Sequence, residues 1–326
     1  MLGDWWRAVV PAPTPDAPRA MPAATRMPIT PRAMLVAIAG LSVVLGGGVA
    51  LAIAPQAWAA DAMRNLQAAT DLLAGRFGTD GGYLYSPLAA LLTVPATWVP
   101  AGVALGAWLA LKLTVLAWGI RHETRGLGLP AAALVALAVV TFVPTLHDLL
   151  LGNVTVLLVA AIALVAWRPD HPLSGLALGL MLATAPKPQL IPILVWMVLF
   201  RPRALLGAAV TAVAATLGTI LVVGKEPYVA WLDVLRAPDY LATSMAGNLA
   251  PQALLPALAP VIWLVTVSGL LLAFRRSETP ALIAALAAGL LLAPYTMAYG
   301  ATALLLAVRP VAERLPTVAG ALAAAG

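Results

Sequence analysis

The chain has 326 residues, of which 62% are hydrophobic and 10% charged, with no cysteine and a formal net charge of +6. A soluble domain carries about 25% charge, so most of this surface cannot face water and a lipid bilayer is the solvent that suits it. The absence of cysteine excludes disulfides and thiolate chemistry, three scattered histidines show no metal-ligand spacing, and the basic residues are dispersed among short loops rather than gathered into a nucleic-acid patch.

Residues 1–32 carry seven prolines and four arginines with little periodic apolar surface, which predicts a disordered cytoplasmic tail. Residues 33–54 form the first expected membrane helix. The Ala57-Trp58-Ala59 triplet resembles a signal-peptidase site, but the apolar run is longer than a usual h-region and the preceding 32 residues are long for an n-region. An approximate helical stripe of Trp58, Met63, Leu66, Ala69, Leu72 and Leu73 follows, predicting an amphipathic helix on the outer membrane surface that ends at Gly75. Pro87, Pro95 and Pro100 make 86–99 a poor span, better suited to a short helix lying at or dipping into the interface.

Further spans are expected at 100–120, 127–146, 149–167, 173–185, 190–200, 204–223, 257–274, 280–293 and 295–308. The fold class is therefore all-α, a multi-pass bundle of about eight to ten membrane helices, because a hydrocarbon core about 30 Å thick takes ~20 helical residues to cross. Around Pro186-Lys187-Pro188 two helices are each too short to span alone, which predicts a broken hairpin with its apex in a protein-lined cavity. One membrane domain, 33–309, is expected, with outer loops 55–85 and 224–256 and a short tail at 310–326.

Placing alternate loops on opposite sides tests that topology. Of the 19 basic residues, five (Arg64, Arg76, Lys187, Lys225 and Arg236) fall outside, Lys112 lies within a span, and all others fall on the side of the N-terminus. Lysine and arginine accumulate in cytoplasmic loops, so the N-terminus is cytoplasmic and the protein belongs in the cell membrane.

Candidate chemistry then sits on the outer side. Asp61, on the short outer helix, is a seat for a general base, its bland alternative being a solvated acid paired with Arg64. Asp71 and Asp80 read as plain loop acids. Tyr85 stands at the interface before Ser86-Pro87; His147, Asp148 and Asn153 cluster near the outer ends of adjacent spans, where polar groups are costly unless they face protein or a watery cavity. Those three could equally form a solvated turn and a helix-to-helix hydrogen bond. Lys187, with Gln189 beside it, can neutralise a phosphate at the hairpin apex or simply snorkel. Lys112 reads as snorkelling or internally paired. Asp233, Arg236, Asp239, Tyr240 and Asn248 recur in the second outer loop, where a solvated mixed-charge surface is the commoner explanation. Tyr295 and Tyr299, four apart on one face, can line a cavity or form an aromatic belt, and Gly46-Gly47-Gly48 fits close helix packing.

The order of these features resembles the polyprenyl-phosphate-mannose-dependent transferases of glycosyltransferase family 87, within the GT-C superfamily. Tyr85-Ser86-Pro87-Leu88 resembles that family's Tyr-Pro-Pro-Leu segment, Gly152-Asn153 its Gly-Gln turn, and Gly175 to Gly179 running to Lys187-Pro188 its glycine-rich helix ending in Lys-Pro. The Asn248 loop and Ala293-Pro294-Tyr295 follow in the expected order. The chain departs from the pattern at Ser86, at Asn153 and after Pro294, where Tyr-Thr-Met-Ala-Tyr replaces a Trp/His-rich segment.

The resemblance implies a GT-C-like bundle that transfers a sugar, mannose, from a polyprenyl-phosphate donor to a hydroxyl of a glycolipid or glycan, outside the cell and with inversion. Asp61 would be the base, and Lys187 with His147 would receive the leaving phosphate. Tyr85, Asp148, Asn153, Gln189, Asn248, Tyr295 and Tyr299 complete the expected substrate-binding set. No cofactor is assigned, with a divalent cation left open as an addition. The alternatives are a transporter or lipid flippase using Lys187 as a midplane site, and a noncatalytic assembly subunit.

Overall fold

The computed structural model describes residues 59–78, 83–126, 139, 142–168, 171–236 and 248–307. The expected tails, the first span with its glycine run, Asp80, Asp239, Tyr240 and most of the 127–146 span lie outside them. Every regular element among the described residues is a helix, as an all-α membrane protein requires.

The first, α1 (Ala60–Leu73), has Asp61 in its first turn, where a carboxylate suits the positive end of the helix dipole. It turns its small residues, Ala62, Asn65, Ala68 and Ala69, into the protein, while Met63 and Leu73 stay exposed. Ala59, just before it, holds a left-handed φ of 56° and donates its N–H to the Leu150 carbonyl at 2.7 Å, fixing where the helix begins. The prolines then act as expected: Pro87 opens the short α2 (Pro87–Thr93), which tightens into a 3₁₀ turn at Val94–Trp98.

Among the described residues two helices, α3 (Ala101–Glu123) and, later in the chain, Pro202–Val223, are long and apolar enough to cross a membrane. On the second, Leu206, Val210, Val213, Leu217 and Leu221 recur at helical spacing and are all more than half exposed. Facing water, each such side chain would forgo roughly 1.5–3 kcal/mol of burial, whereas facing lipid it forgoes nothing. Between them come α4 (Val143–Leu151), α5 (Thr155–Trp167), α6 (Pro172–Thr184) and α7 (Ile191–Phe200), so the Pro202–Val223 helix is α8.

The glycine spacing on α6 has a packing reason. A Cβ on Gly175 would meet the Ala204 carbonyl oxygen at 3.0 Å, and one on Gly179 would collide with Ala208, so α6 and α8 approach backbone to backbone. Trp196, Met197, Val165 and Leu178 fill the core between α5, α6 and α7. On α7, Trp196 donates Nε1 to the Glu278 carbonyl at 3.3 Å, and Arg201 pairs with the Glu278 carboxylate.

The hairpin is broken where the prolines stand: α6 stops at Thr184, the chain runs through Pro186 and Lys187, and a single 3₁₀ turn (Pro188–Leu190) leads into α7. Ten residues of α7 extend only about 15 Å, half a hydrocarbon core. Past α9 (Glu226–Arg236), α10 (Pro251–Leu254), α11 (Ala259–Phe274) and α12 (Glu278–Leu292), the expected helix at 295–308 is instead a 3₁₀ segment, Ala298–Ala307. Its approach is held open by other elements: Asn248 Oδ1 accepts from Thr296 N at 2.8 Å, and Gln189 donates to the Tyr295 carbonyl at 2.5 Å. The 3₁₀ winding then carries those ten residues over about 20 Å rather than about 15 Å.

Candidate active site

The turn between α4 and α5 builds the site. Gly152 closes α4 with a left-handed φ of 70°, and a Cβ there would sit 2.6 Å from the Ala62 Cβ of α1, so glycine alone lets the two elements meet. The next residue, Asn153, is thereby placed beside Asp61 from a position 92 residues away: its Nδ2 donates to Asp61 Oδ2 at 2.6 Å. Its other amide atom, Oδ1, accepts from the Thr155 hydroxyl at 2.8 Å, from Thr155 N at 3.2 Å and from Lys187 Nζ at 3.1 Å. Lys187 also donates to the Thr155 hydroxyl at 2.9 Å. One amide thus joins the acid to the cation, and its three donors fix which end faces Asp61.

Around this network lies a cavity of about 600 Å³. Its polar lining residues are Asp61, Arg64, Tyr83, Tyr85, His147, Asn153, Lys187, Gln189, Tyr295 and Tyr299. Lys187 Nζ stands 4.9 Å from the Tyr299 ring centroid, and the His147 and Tyr299 rings are 5.8 Å apart. The segment after Pro294, where the chain departs from the family pattern, therefore supplies the aromatic face beneath the cation. The apolar lining includes one stripe of α5 (Thr155, Leu158, Val159, Ile162), Ile193 of α7 and Leu286 and Leu290 of α12. From Thr155, which bonds Lys187, to Ile162 that stripe covers about 10 Å of helix.

Electrostatics separate the groups. Lys187, in the turn between helices, has its pKa lowered from 10.5 to about 8 by burial, against the opposing pull of the Asp148 and Asp61 charges. His147 is lowered from 6.5 by burial, opposed by Asp61, so it is a neutral imidazole at pH 7. Burial raises the Tyr85 phenol well above its ordinary value, with Asp61 adding to the effect, so it stays protonated.

Two expected substrate contacts have other occupations. Asp148 is fully buried and away from the cavity lining: Lys112 Nζ lies 3.0 Å from its Oδ2, and its carboxylate accepts from Val156 N at the start of α5. Lys112, likewise 0% exposed, is the internally paired residue of the two readings open for it. Asn248 caps the Ala250 and Thr296 amides, outside the cavity lining, and so shapes the segment bearing Tyr295 and Tyr299. Arg64 forms no ion pair with Asp61 among the described residues; both face the cavity.

Thr155 and Tyr83 were not singled out by the sequence. Thr155 stands two residues after Asn153 at the first turn of a helix, the spacing of an Asx turn, which is the signal that would have found it. Ser86 explains its own departure from proline: its N–H donates to the Thr184 carbonyl at 2.9 Å and its hydroxyl to the Ala183 carbonyl at 2.5 Å, bonds proline cannot make. The loop bearing Tyr85 is thereby stitched to the end of α6, next to Lys187.

Among the described residues no three His, Asp or Glu side chains gather as a metal site requires. Among the described residues that line the cavity, Asp61 is the carboxylate.

The sequence model described as glycosyltransferase family 87 matches residues 83–325. That range takes in Tyr85, His147, Asn153, Lys187 and Tyr299 and begins after Asp61. Neither a curated protein nor a solved structure matches the chain.

Proposed function

The chain belongs to glycosyltransferase family 87 and is a membrane glycosyltransferase, and we propose that it moves mannose from a polyprenyl-phosphate donor to a hydroxyl of a glycolipid or glycan, on the extracytoplasmic side and with inversion. The observation that carries this reading is the cavity lining: an acid and a cation joined by one amide, and an apolar stripe of α5 that starts at Thr155, which bonds the cation, and runs about two turns to Ile162.

The donor's phosphate sits against Lys187, with the Tyr299 ring beneath and the neutral His147 donating a hydrogen bond. Its prenyl chain lies along Leu158, Ile162, Leu286 and Leu290, where burial contributes about 25 cal/mol per Å². The acceptor hydroxyl gives its proton to Asp61 as its oxygen bonds to the anomeric carbon. The bond from that carbon to the phosphate oxygen breaks, and the electron pair leaves on the polyprenyl phosphate, whose growing charge Lys187 stabilises. Asn153 holds base and cation at a set separation, which orientation-dependent chemistry requires. The bias of basic residues toward one set of loops supports a multi-pass topology with a cytoplasmic N-terminus and this cavity on the other side.

The test is product formation in detergent, where no compartments exist for transport to be measured. We expect mannose transfer from polyprenyl-phosphate mannose to a mannoside acceptor, reduced about 10²–10⁴-fold by Asp61→Asn in folded protein. Donor counterflow in vesicles without any product in detergent would overturn the assignment in favour of transport.

A further inference from the structure

A lysine fully buried within a membrane-crossing helix is costly unless it is paired, and such residues are functional suspects. Lys112 is one, yet α3 contributes no residue to the cavity lining. Its contacts lead to the site indirectly. Besides the Asp148 carboxylate, Lys112 Nζ donates to the Asp148 carbonyl at 2.6 Å, the same oxygen that accepts the Asn153 N–H at 3.1 Å. Four residues earlier on the same face of α3, Trp108 donates Nε1 to the Gly152 carbonyl at 2.8 Å. The two side chains thus grip both ends of the 148–152 turn. The Asp148 carboxylate ties that turn to α5 through Val156 N, at 3.3 Å for each oxygen.

We propose that Trp108 and Lys112 are positioning residues, which hold the Asp148–Asn153 turn so that the Asn153 amide meets Asp61 on one side and Lys187 on the other. The packing leaves the turn no slack: Gly152 is already against Ala62, one residue beyond Asp61 on α1. Movement of the turn along α3 therefore shifts Asn153 relative to Asp61, and misplacement of about 1 Å costs about 10²-fold in such sites. The inference rests on the transferase reading for its catalytic consequence, but the grip itself is independent of that reading.

Trp108→Phe removes the Nε1–H and keeps most of the ring. We expect it to fold, to slow transfer about 10-fold with the donor KM nearly unchanged, and to add nothing in an Asn153→Ala background, because its effect passes through Asn153. Lys112→Gln with Asp148→Asn removes both charges while retaining a donor and an acceptor, and should recover part of the activity lost in Lys112→Met. Hydrogen exchange of the 148–156 peptide, measured without substrate, should quicken in Trp108→Phe. Multiplicative effects of Trp108→Phe and Asn153→Ala, or unchanged exchange across 148–156, would overturn the proposal. Faster exchange in a protein whose wild type transfers no sugar would sink the transferase reading and leave the grip standing.

Discussion

Two lysine–aspartate constellations lie on either side of the same turn, and they differ in what stands between the charges. Lys112 and Asp148 touch directly at 3.0 Å and are sealed from solvent. Lys187 and Asp61 are held apart by Asn153, and both line an open cavity. The first pair has satisfied itself and can only hold structure. The second keeps an acid and a cation within one site without letting them neutralise each other by contact, and so leaves both available to a substrate.

The largest effect on stability is expected at the sealed pair. Lys112→Met leaves the Asp148 carboxylate buried and unpaired, and should lower stability by about 3–5 kcal/mol in a denaturation measurement. At the open pair the loss should fall on rate instead: Lys187→Gln is expected to reduce kcat by about 10²–10³-fold with little change in melting temperature, the cost of removing one preorganised stabiliser of developing charge. If Lys187→Gln unfolds the protein and Lys112→Met spares it, the contrast is reversed.

Lys187 also gives the open pair a pH dependence. Its folded pKa is lowered to about 8 by burial, so the ammonium is present below that value and lost above it. Transfer measured as kcat/KM for the donor should therefore fall as pH rises through about 8, and Lys187→Arg, which stays charged throughout, should flatten that fall. Gly152→Ala comes next. Its left-handed backbone costs a side chain roughly 1–2 kcal/mol, and the new Cβ presses on Ala62 beside Asp61, so transfer should drop more than stability does. Smallest is Ser86→Ala, which removes the hydroxyl bond to Ala183 and should cost about 1 kcal/mol in a thermal melt.

How far the sequence reaches follows from which interactions are local. Proline chemistry is local, so the break at Pro186-Lys187-Pro188 and the short helix after Ser86 were both legible. Glycine spacing on α6 was legible as a motif, while its partner helix α8 was not, because contact with Ala208 is tertiary. Asp61, Asn153 and Lys187 could be suspected as costly polar groups, but their meeting depends on one left-handed residue, Gly152. Asp148 and Asn248 show the converse: a polar side chain in a turn reads the same whether it faces a cavity or caps backbone amides. The winding of 298–307 escaped for a related reason, since bonds from Asn248 and Gln189, remote in the chain, hold its approach.

Chemistry is expected at the separated pair rather than the sealed one. Transfer rate and melting temperature, both measured on one preparation of Asp61→Asn, decide between them. A rate lower by about 10²–10⁴-fold is expected, with stability lowered by no more than the roughly 0.3–1 kcal/mol that a first-turn carboxylate gains from the helix dipole. A variant that transfers sugar at the wild-type rate, or loses rate only in proportion to unfolded protein, would contradict that expectation.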